Sequence, residues 1–166
     1  MTSTTLAAAR GSAAGLLASV VQVAVGAAES ALILPPHEDA NIAPRLMDRL
    51  ARDLGTELPL EAEWALGTLF HFGYGATWGA IYGMVEEKLE PHPLVGGAAL
   101  GARIYAITFT RWGGAVQTQA ERPPEVRTRR MTFVAGSVAM TYGIAAAYAT
   151  RAMKPRPKQR LLDLAR

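Results

Sequence analysis

The chain is 166 residues long, contains no cysteine and carries a formal net charge of +3 at pH 7. Of its residues 50% are hydrophobic and only 19% are charged, whereas about a quarter of the residues in an average soluble domain are charged. The lack of cysteine excludes disulfides, thiolate catalysis and cysteine-ligated metal centres. The weak net charge gives no indication of a nucleic-acid partner.

Motifs that carry catalysis or metal binding are missing from the chain. It has no Walker loop, no nucleophile elbow, no HExxH sequence and no EF-hand loop. We therefore interpret the sequence as that of a non-enzymatic protein, with no catalytic residue and no metal site.

The long apolar segments predict an all-α membrane protein with one domain over residues 1–166, built as a bundle of four transmembrane helices. About 20 apolar residues are needed for each crossing. The predicted spans lie at 11–34, 62–86, 93–112 and 131–150, with a short amphipathic helix at 44–54 and a basic tail at 151–166.

The first apolar segment ends at Pro35 and Pro36, because proline cannot donate to the helical ladder. A secretory signal peptide is the alternative interpretation of this segment. Arg10 would be its charged start, and the small residues around Ala27 would be its cleavage site. The apolar run is long for the core of a signal peptide, so we expect a membrane span.

The amphipathic helix lies in the polar segment between the first two spans. Leu46, Leu50 and Leu54 recur at four-residue intervals, so they share one apolar face. Pro44 suits the first helical position, and Gly55 suits the C-terminal stop. The apolar face either lies in the membrane interface or caps one end of the bundle, and the sequence leaves both interpretations open.

Small residues recur every four positions in all four predicted spans. Helices in a membrane associate by close packing, and small side chains permit that close approach. We therefore predict a tight bundle whose contacts run through the glycines of the last three spans: Gly75, Gly79, Gly83, Gly97, Gly101 and Gly143.

An intramembrane polar layer is predicted from Gln22, His71, Arg103 and Thr141. A rise of about 1.5 Å per residue places these four at similar depths. Arginine at mid-bilayer costs about 3 kcal/mol on insertion scales, so Arg103 needs a partner, water or a path along Tyr105 to one face. The layer forms either a functional site or a hydrogen-bond set that fixes helix register. We favour the structural interpretation because no acid lies at that depth.

Two further polar positions are predicted to interact within the membrane. Glu29 and Arg111 fall at similar depths near the far edge of the hydrocarbon, so we predict an intramembrane ion pair between them. This pair would neutralise both charges where either alone is costly.

His71 is the one candidate ligand of a cofactor. A neutral imidazole is the usual axial ligand of a tetrapyrrole metal, and Gly75 one turn along leaves room for a flat ring. A lone histidine on a packed helix is more often a hydrogen-bonded core residue. We therefore predict no cofactor, apart from a lipid or pigment in a lipid-facing groove.

Four crossings place both termini on one side of the membrane. The basic residues divide evenly between the two faces, so the usual charge rule gives no orientation. We favour cytoplasmic termini because the tail at 151–166 is dense in basic residues.

The layout of the chain resembles the YagU-like inner-membrane proteins, a group of small bacterial proteins of undetermined function. The residues that carry the resemblance are Pro35 and Pro36, the run 71–75 (His-Phe-Gly-Tyr-Gly), Trp78 and Tyr82. The resemblance implies a multi-pass protein of the bacterial inner membrane. It implies no activity.

Three functions are compatible with this sequence. The first is an accessory or structural subunit packing against a larger membrane complex of respiratory or photosynthetic type. The second is a small transporter or channel-like oligomer that uses the layer of Gln22, His71 and Arg103. The third is a tetrapyrrole or lipid binder through His71. The expected partners are other membrane subunits, lipids or further copies of the chain, and no nucleic acid.

Overall fold

The computed structural model describes residues 3–36, 38 and 41–154, and this part of the chain is helical with no strand. The predicted all-α class is therefore confirmed. The helices are α1 (Ser3–Ile33), α2 (Ala43–Asp53), α3 (Leu60–Leu89), α4 (Pro93–Phe109), the single turn α5 (Gly114–Gln117) and α6 (Arg129–Ala152).

Two of these helices, α1 and α6, are long and apolar enough to cross a membrane. The sequence predicted four such helices, and the remaining helices are too short or not apolar enough. Helix α4 has only 17 residues. Helix α3 has 30 residues, but its many glycines, its aromatic residues with polar atoms and His71 lower its mean hydropathy.

Several helix boundaries differ from the predicted ones. Helix α1 begins at Ser3 instead of residue 11 and has 31 residues, because alanine, the strongest helix former, fills the start of the chain. Helix α4 ends at Phe109 instead of residue 112. The predicted basic tail lies outside the described residues from position 155 onward.

Helices α1 and α3 contact each other backbone to backbone through glycines. A Cβ atom on Gly11 would overlap the carbonyl oxygen of Gly79, and one on Gly15 would overlap that of Gly75. Gly83 continues this seam. Because the paired residues occur in reverse order along the two helices, α1 and α3 run antiparallel.

Helices α4 and α6 meet in the same way. A Cβ atom on Gly101 would come within 2.7 Å of the carbonyl oxygen of Ala139, and one on Gly143 would overlap that of Gly97. Helix α6 also contacts α1. It therefore joins the α4 side of the protein to the α1–α3 pair.

Helix α2 packs on the first part of α3. A Cβ atom on Gly67 of α3 would come within 2.7 Å of the backbone nitrogen of Pro44. On the outer side of α2, Leu50 is 41% exposed and Leu54 is 84% exposed. The helix thus covers part of α3 while it keeps two leucines at the surface.

A buried carboxylate links the C-terminal ends of α3 and α6, which lie beside the first turns of α1. Glu86 of α3 is 0% exposed, and its Oε1 accepts a hydrogen bond from Arg151 Nε at 2.5 Å. Lys154 Nζ lies 3.7 Å from the same oxygen. Beside them, Arg10 Nη2 is 2.8 Å from Glu87 Oε2. These ion pairs tie α3 to both α6 and α1.

The α1–α3 seam can be tested with one added methyl group. Gly79→Ala should destabilise the detergent-purified protein by about 1–3 kcal/mol, because its Cβ would overlap the backbone of Gly11. The readout is the thermal melting temperature.

Gly73→Ala, in the same helix, is the matched control. A Cβ atom at Gly73 has nothing within 4 Å, and alanine is the better helix former, so its melting temperature should hold or rise. Equal melting temperatures for the two variants would contradict the close backbone contact.

Candidate ligand cavity

A cavity of about 580 Å³ lies between α1, α3, α4 and α6. It occupies the half of the protein in which α1 and α4 end and α3 and α6 begin, away from the Glu86 ion pairs. Helices α2 and α5 close one end of it, through Leu46 and Ala115 among others.

The walls of the cavity are mostly apolar, and part of the rim reaches the outer surface. Val23 is 49% exposed, Trp64 46%, Phe70 39% and Ile107 36%, and all four line the cavity. The cavity therefore opens between apolar side chains on the outside of α1, α3 and α4.

The structure brings together two members of the predicted polar layer. Gln22 of α1 and His71 of α3 both line the cavity. Thr141 does not line it, and its neighbour Tyr142 does. Two of the four predicted side chains therefore share one site.

Arg103 is exposed on the outside of α4 and does not line the cavity. Among the described residues it has no hydrogen bond or ion pair. Successive helical residues are separated by about 100°, and α4 turns Gly101 and Ile104 inward. Position 103 therefore faces away from the cavity, and Arg103 does not join Gln22 and His71 as the predicted polar layer required. The position of Arg103 along the helix gives its depth in the protein, but it does not give the direction in which the side chain points.

The Nε2 atom of His71 is buried and has no hydrogen-bond partner among the residues that the structure describes. Leaving a buried polar atom unpaired costs about 1–3 kcal/mol. A group with that cost beside a cavity indicates a bound partner, either a ligand or a water molecule.

Two tyrosines border the cavity and connect its walls. Tyr142 Oη donates a hydrogen bond to the backbone oxygen of Gly75 at 2.5 Å, and Tyr74 Oη lies 3.2 Å from Thr108 Oγ1. Sequence reasoning missed both. The available signal was the spacing of Tyr142, three residues after Ala139 on the small-residue face of α6.

The predicted ion pair between Glu29 and Arg111 is not formed. Glu29 Oε1 accepts a hydrogen bond from Ser137 Oγ at 2.6 Å, and Arg111 Nε lies 3.4 Å from Glu125 Oε1. Because α4 ends at Phe109, Arg111 belongs to the short segment between α4 and α5, and its partner Glu125 lies in the loop between α5 and α6.

Comparison with known proteins gives no relative: no family model, no curated protein and no solved structure matches the chain. The described residues therefore define its class by themselves. It is an all-helical protein in which two helices are able to cross a membrane, with a largely apolar cavity between its four longest helices.

The hydrogen bond from Tyr142 to Gly75 yields a prediction. Tyr142→Phe should lower stability by about 1 kcal/mol, the typical net value of one internal hydrogen bond, and the thermal melting temperature should fall accordingly. Tyr148→Phe, on the same helix, is the control because Tyr148 is 50% exposed. The contact would be refuted if both variants melted like the unmodified protein.

Proposed function

We propose that this chain is a multi-pass protein of the bacterial cytoplasmic membrane that holds an apolar ligand of the lipid class between its helices. The cavity of about 580 Å³, with apolar walls and a rim at the outer surface, is the observation that carries this proposal. Apolar cavities with a few convergent polar groups are the usual form of small-ligand sites.

The outer surface of α1 supports location in a membrane. Only 11% of its most apolar stretch is buried inside the protein. Its exposed large side chains are Leu6, Leu16, Leu17, Val20, Val21, Val23 and Leu32. An apolar surface of this extent is unfavourable in water and favourable among acyl chains.

Helices α3 and α4 accompany α1 and α6 across the membrane in this proposal. Helix α3 contains no charged residue from Trp64 to Val85, and its Gly75, Gly79 and Gly83 lie directly against α1. Helix α4, at about 1.5 Å per residue, is roughly 25 Å long, which a slightly thinned bilayer accommodates. Arg103 is exposed on this helix, so the proposal requires its guanidinium group to reach one membrane face along Tyr105. With four crossings both termini lie on one side, which we assign to the cytoplasm.

The polar groups that line the cavity indicate which hydrogen-bonding groups its ligand carries. Gln22 and Asn41 line the cavity with amide groups, and His71 contributes an imidazole. A lipid with a carbonyl or hydroxyl near its apolar tail matches this set, because one end needs hydrogen bonds and the rest needs apolar walls. A tetrapyrrole held by His71 is the other ligand of this chemistry.

An accessory subunit of a larger membrane complex is a second candidate function. The exposed apolar face of α1 that suits lipid also suits a helix of another subunit. Purification in a mild detergent tests this candidate, since co-purifying large subunits would support it and a lone chain would contradict it.

The transporter hypothesis is not proposed. It required a polar layer that included Arg103, and Arg103 is exposed on the outside of α4. The resemblance to the YagU-like proteins stays a prediction and contributes only to the membrane assignment.

Ligand binding can be tested by filling the cavity from its rim. Ala27 lines the cavity and is exposed, so Ala27→Trp should occupy its space without disturbing the buried core. We expect dioleoylglycerol, added to the delipidated protein in detergent, to form a one-to-one adduct in native mass spectrometry. Ala27→Trp should reduce that adduct at least about tenfold, the effect of 1.4 kcal/mol.

Ala28→Trp is the matched control, since Ala28 is exposed but does not line the cavity. Equal adduct formation by both variants would place the lipid elsewhere and overturn the proposal. A haem titration covers the tetrapyrrole case: a Soret band that is lost in His71→Ala would identify that ligand, and no band would exclude it.

A further inference from the structure

A second recess, separate from the cavity, lies between α2 and the loop that joins α5 to α6. Its volume is about 500 Å³. Among the residues that the structure describes, its charged lining consists of four arginines and two glutamates: Arg45, Arg49, Arg122, Arg127, Glu38 and Glu121. We call this recess the arginine cleft. Its lining side chains carry more positive than negative charge.

Arg127 is the most constrained cation of the arginine cleft. Its side chain is only 1% exposed, and its Nη2 donates to the backbone oxygens of Phe109 at 3.2 Å and Arg122 at 2.8 Å. The guanidinium carbon lies 5.6 Å from the centre of the Phe109 ring. These contacts fix the plane of the guanidinium group.

The same guanidinium retains unused donors. Nη1 and Nε of Arg127 are buried and have no hydrogen-bond partner within the described part of the chain. The nearest carboxylate oxygen to Nε is Glu121 Oε1 at 3.8 Å, which is too long for a hydrogen bond. A buried cation with free donors is a costly arrangement that an anion would relieve.

Glu121 offsets only part of the positive charge of the arginine cleft. Its Oε2 lies 3.6 Å from Arg45 Nη2, and its Oε1 accepts a hydrogen bond from the backbone nitrogen of Arg122 at 2.7 Å. One carboxylate is thus shared between the guanidinium groups of Arg45 and Arg127, and it reaches neither within hydrogen-bond distance.

The geometry points to a binding site for a phosphate group in the arginine cleft. Guanidinium groups bind phosphate with paired N–H donors in a fixed fork, and Arg127 offers free donors from a rigid position. Arg49 and Arg122 add two exposed cations at the mouth. Thr128, which caps the N-terminus of α6, also lines the cleft, and helix N-termini favour anions.

Two sources can supply such a phosphate: the headgroup of an anionic phospholipid and a free phosphate or soluble phosphate ester. The cleft lies at the end of α6 that a membrane-crossing helix would place at a membrane surface, where headgroups are found. The experiment therefore uses one probe for each source, with inorganic phosphate for the soluble one and dioleoylphosphatidylglycerol for the lipid.

The test uses the full chain in a neutral detergent and a pair of double variants with equal charge change. Arg49→Gln with Arg122→Gln removes two cations from the cleft. Arg52→Gln with Arg130→Gln removes two exposed cations that do not line it. Arg127→Gln is avoided as the primary variant because its buried side chain supports the local fold.

We expect the cleft variant to bind its probe at least about tenfold more weakly than the unmodified protein, and the control variant to stay within about twofold. Inorganic phosphate is followed by titration calorimetry and phosphatidylglycerol by native mass spectrometry. Binding of inorganic phosphate identifies a soluble ligand, and binding of phosphatidylglycerol alone identifies a headgroup site. Equal weakening by the two double variants, or no binding of either probe, would overturn the proposal.

Phosphate binding in the arginine cleft should not depend on lipid binding in the cavity. Ala27→Trp should leave phosphate binding by the arginine cleft unchanged, and the cleft variant should leave the dioleoylglycerol adduct unchanged. If either variant lost binding of both the phosphate probe and dioleoylglycerol, the two ligands would share one site. The proposal of a separate phosphate site in the arginine cleft would then be wrong.

Discussion

The close approach of α1 and α3 is the constraint on which the rest of the structure depends. Gly11 and Gly15 lie against Gly79 and Gly75 with no side chain between the two backbones, so neither helix can shift without separating from the other. The seam is confined to the part of the protein near the N-terminus. Beyond it the facing positions carry larger side chains, such as Gln22 and His71, and it is there that the cavity lies. Tight packing at one end thus accompanies open space at the other.

The two candidate sites share their supporting elements. In helix α2, Leu46 lines the cavity and Arg49 lines the arginine cleft. In the segment between α4 and α6, Ala115 lines the cavity and Arg122 lines the arginine cleft. Side chains of one amphipathic helix therefore line both sites, while its Leu50 stays at the surface. This division follows from its sequence, in which leucines and arginines fall on different faces.

The helical class and the approximate place of every long helix could be predicted from the sequence, because apolar runs bounded by proline and polar loops are local signals. The spacing of small residues was also visible, and the structure has Gly79 and Gly101 at helix contacts. The direction of Arg103 could not be obtained in this way. It depends on which face of α4 meets α6, and this is decided by partners far apart in the chain. The partner of Glu29 was missed for the same reason, since Ser137 lies more than 100 residues away.

The burial of Glu86 has a consequence for the order in which the chain is completed during synthesis. Its cationic partners, Arg151 and Lys154, follow it in the chain by 65 and 68 residues. A nascent chain that has produced α3 but not yet α6 therefore carries an acidic group with no counter-charge to accompany it into the interior. Closure of that region therefore has to wait for the end of α6, which brings Arg151 to the Glu86 carboxylate.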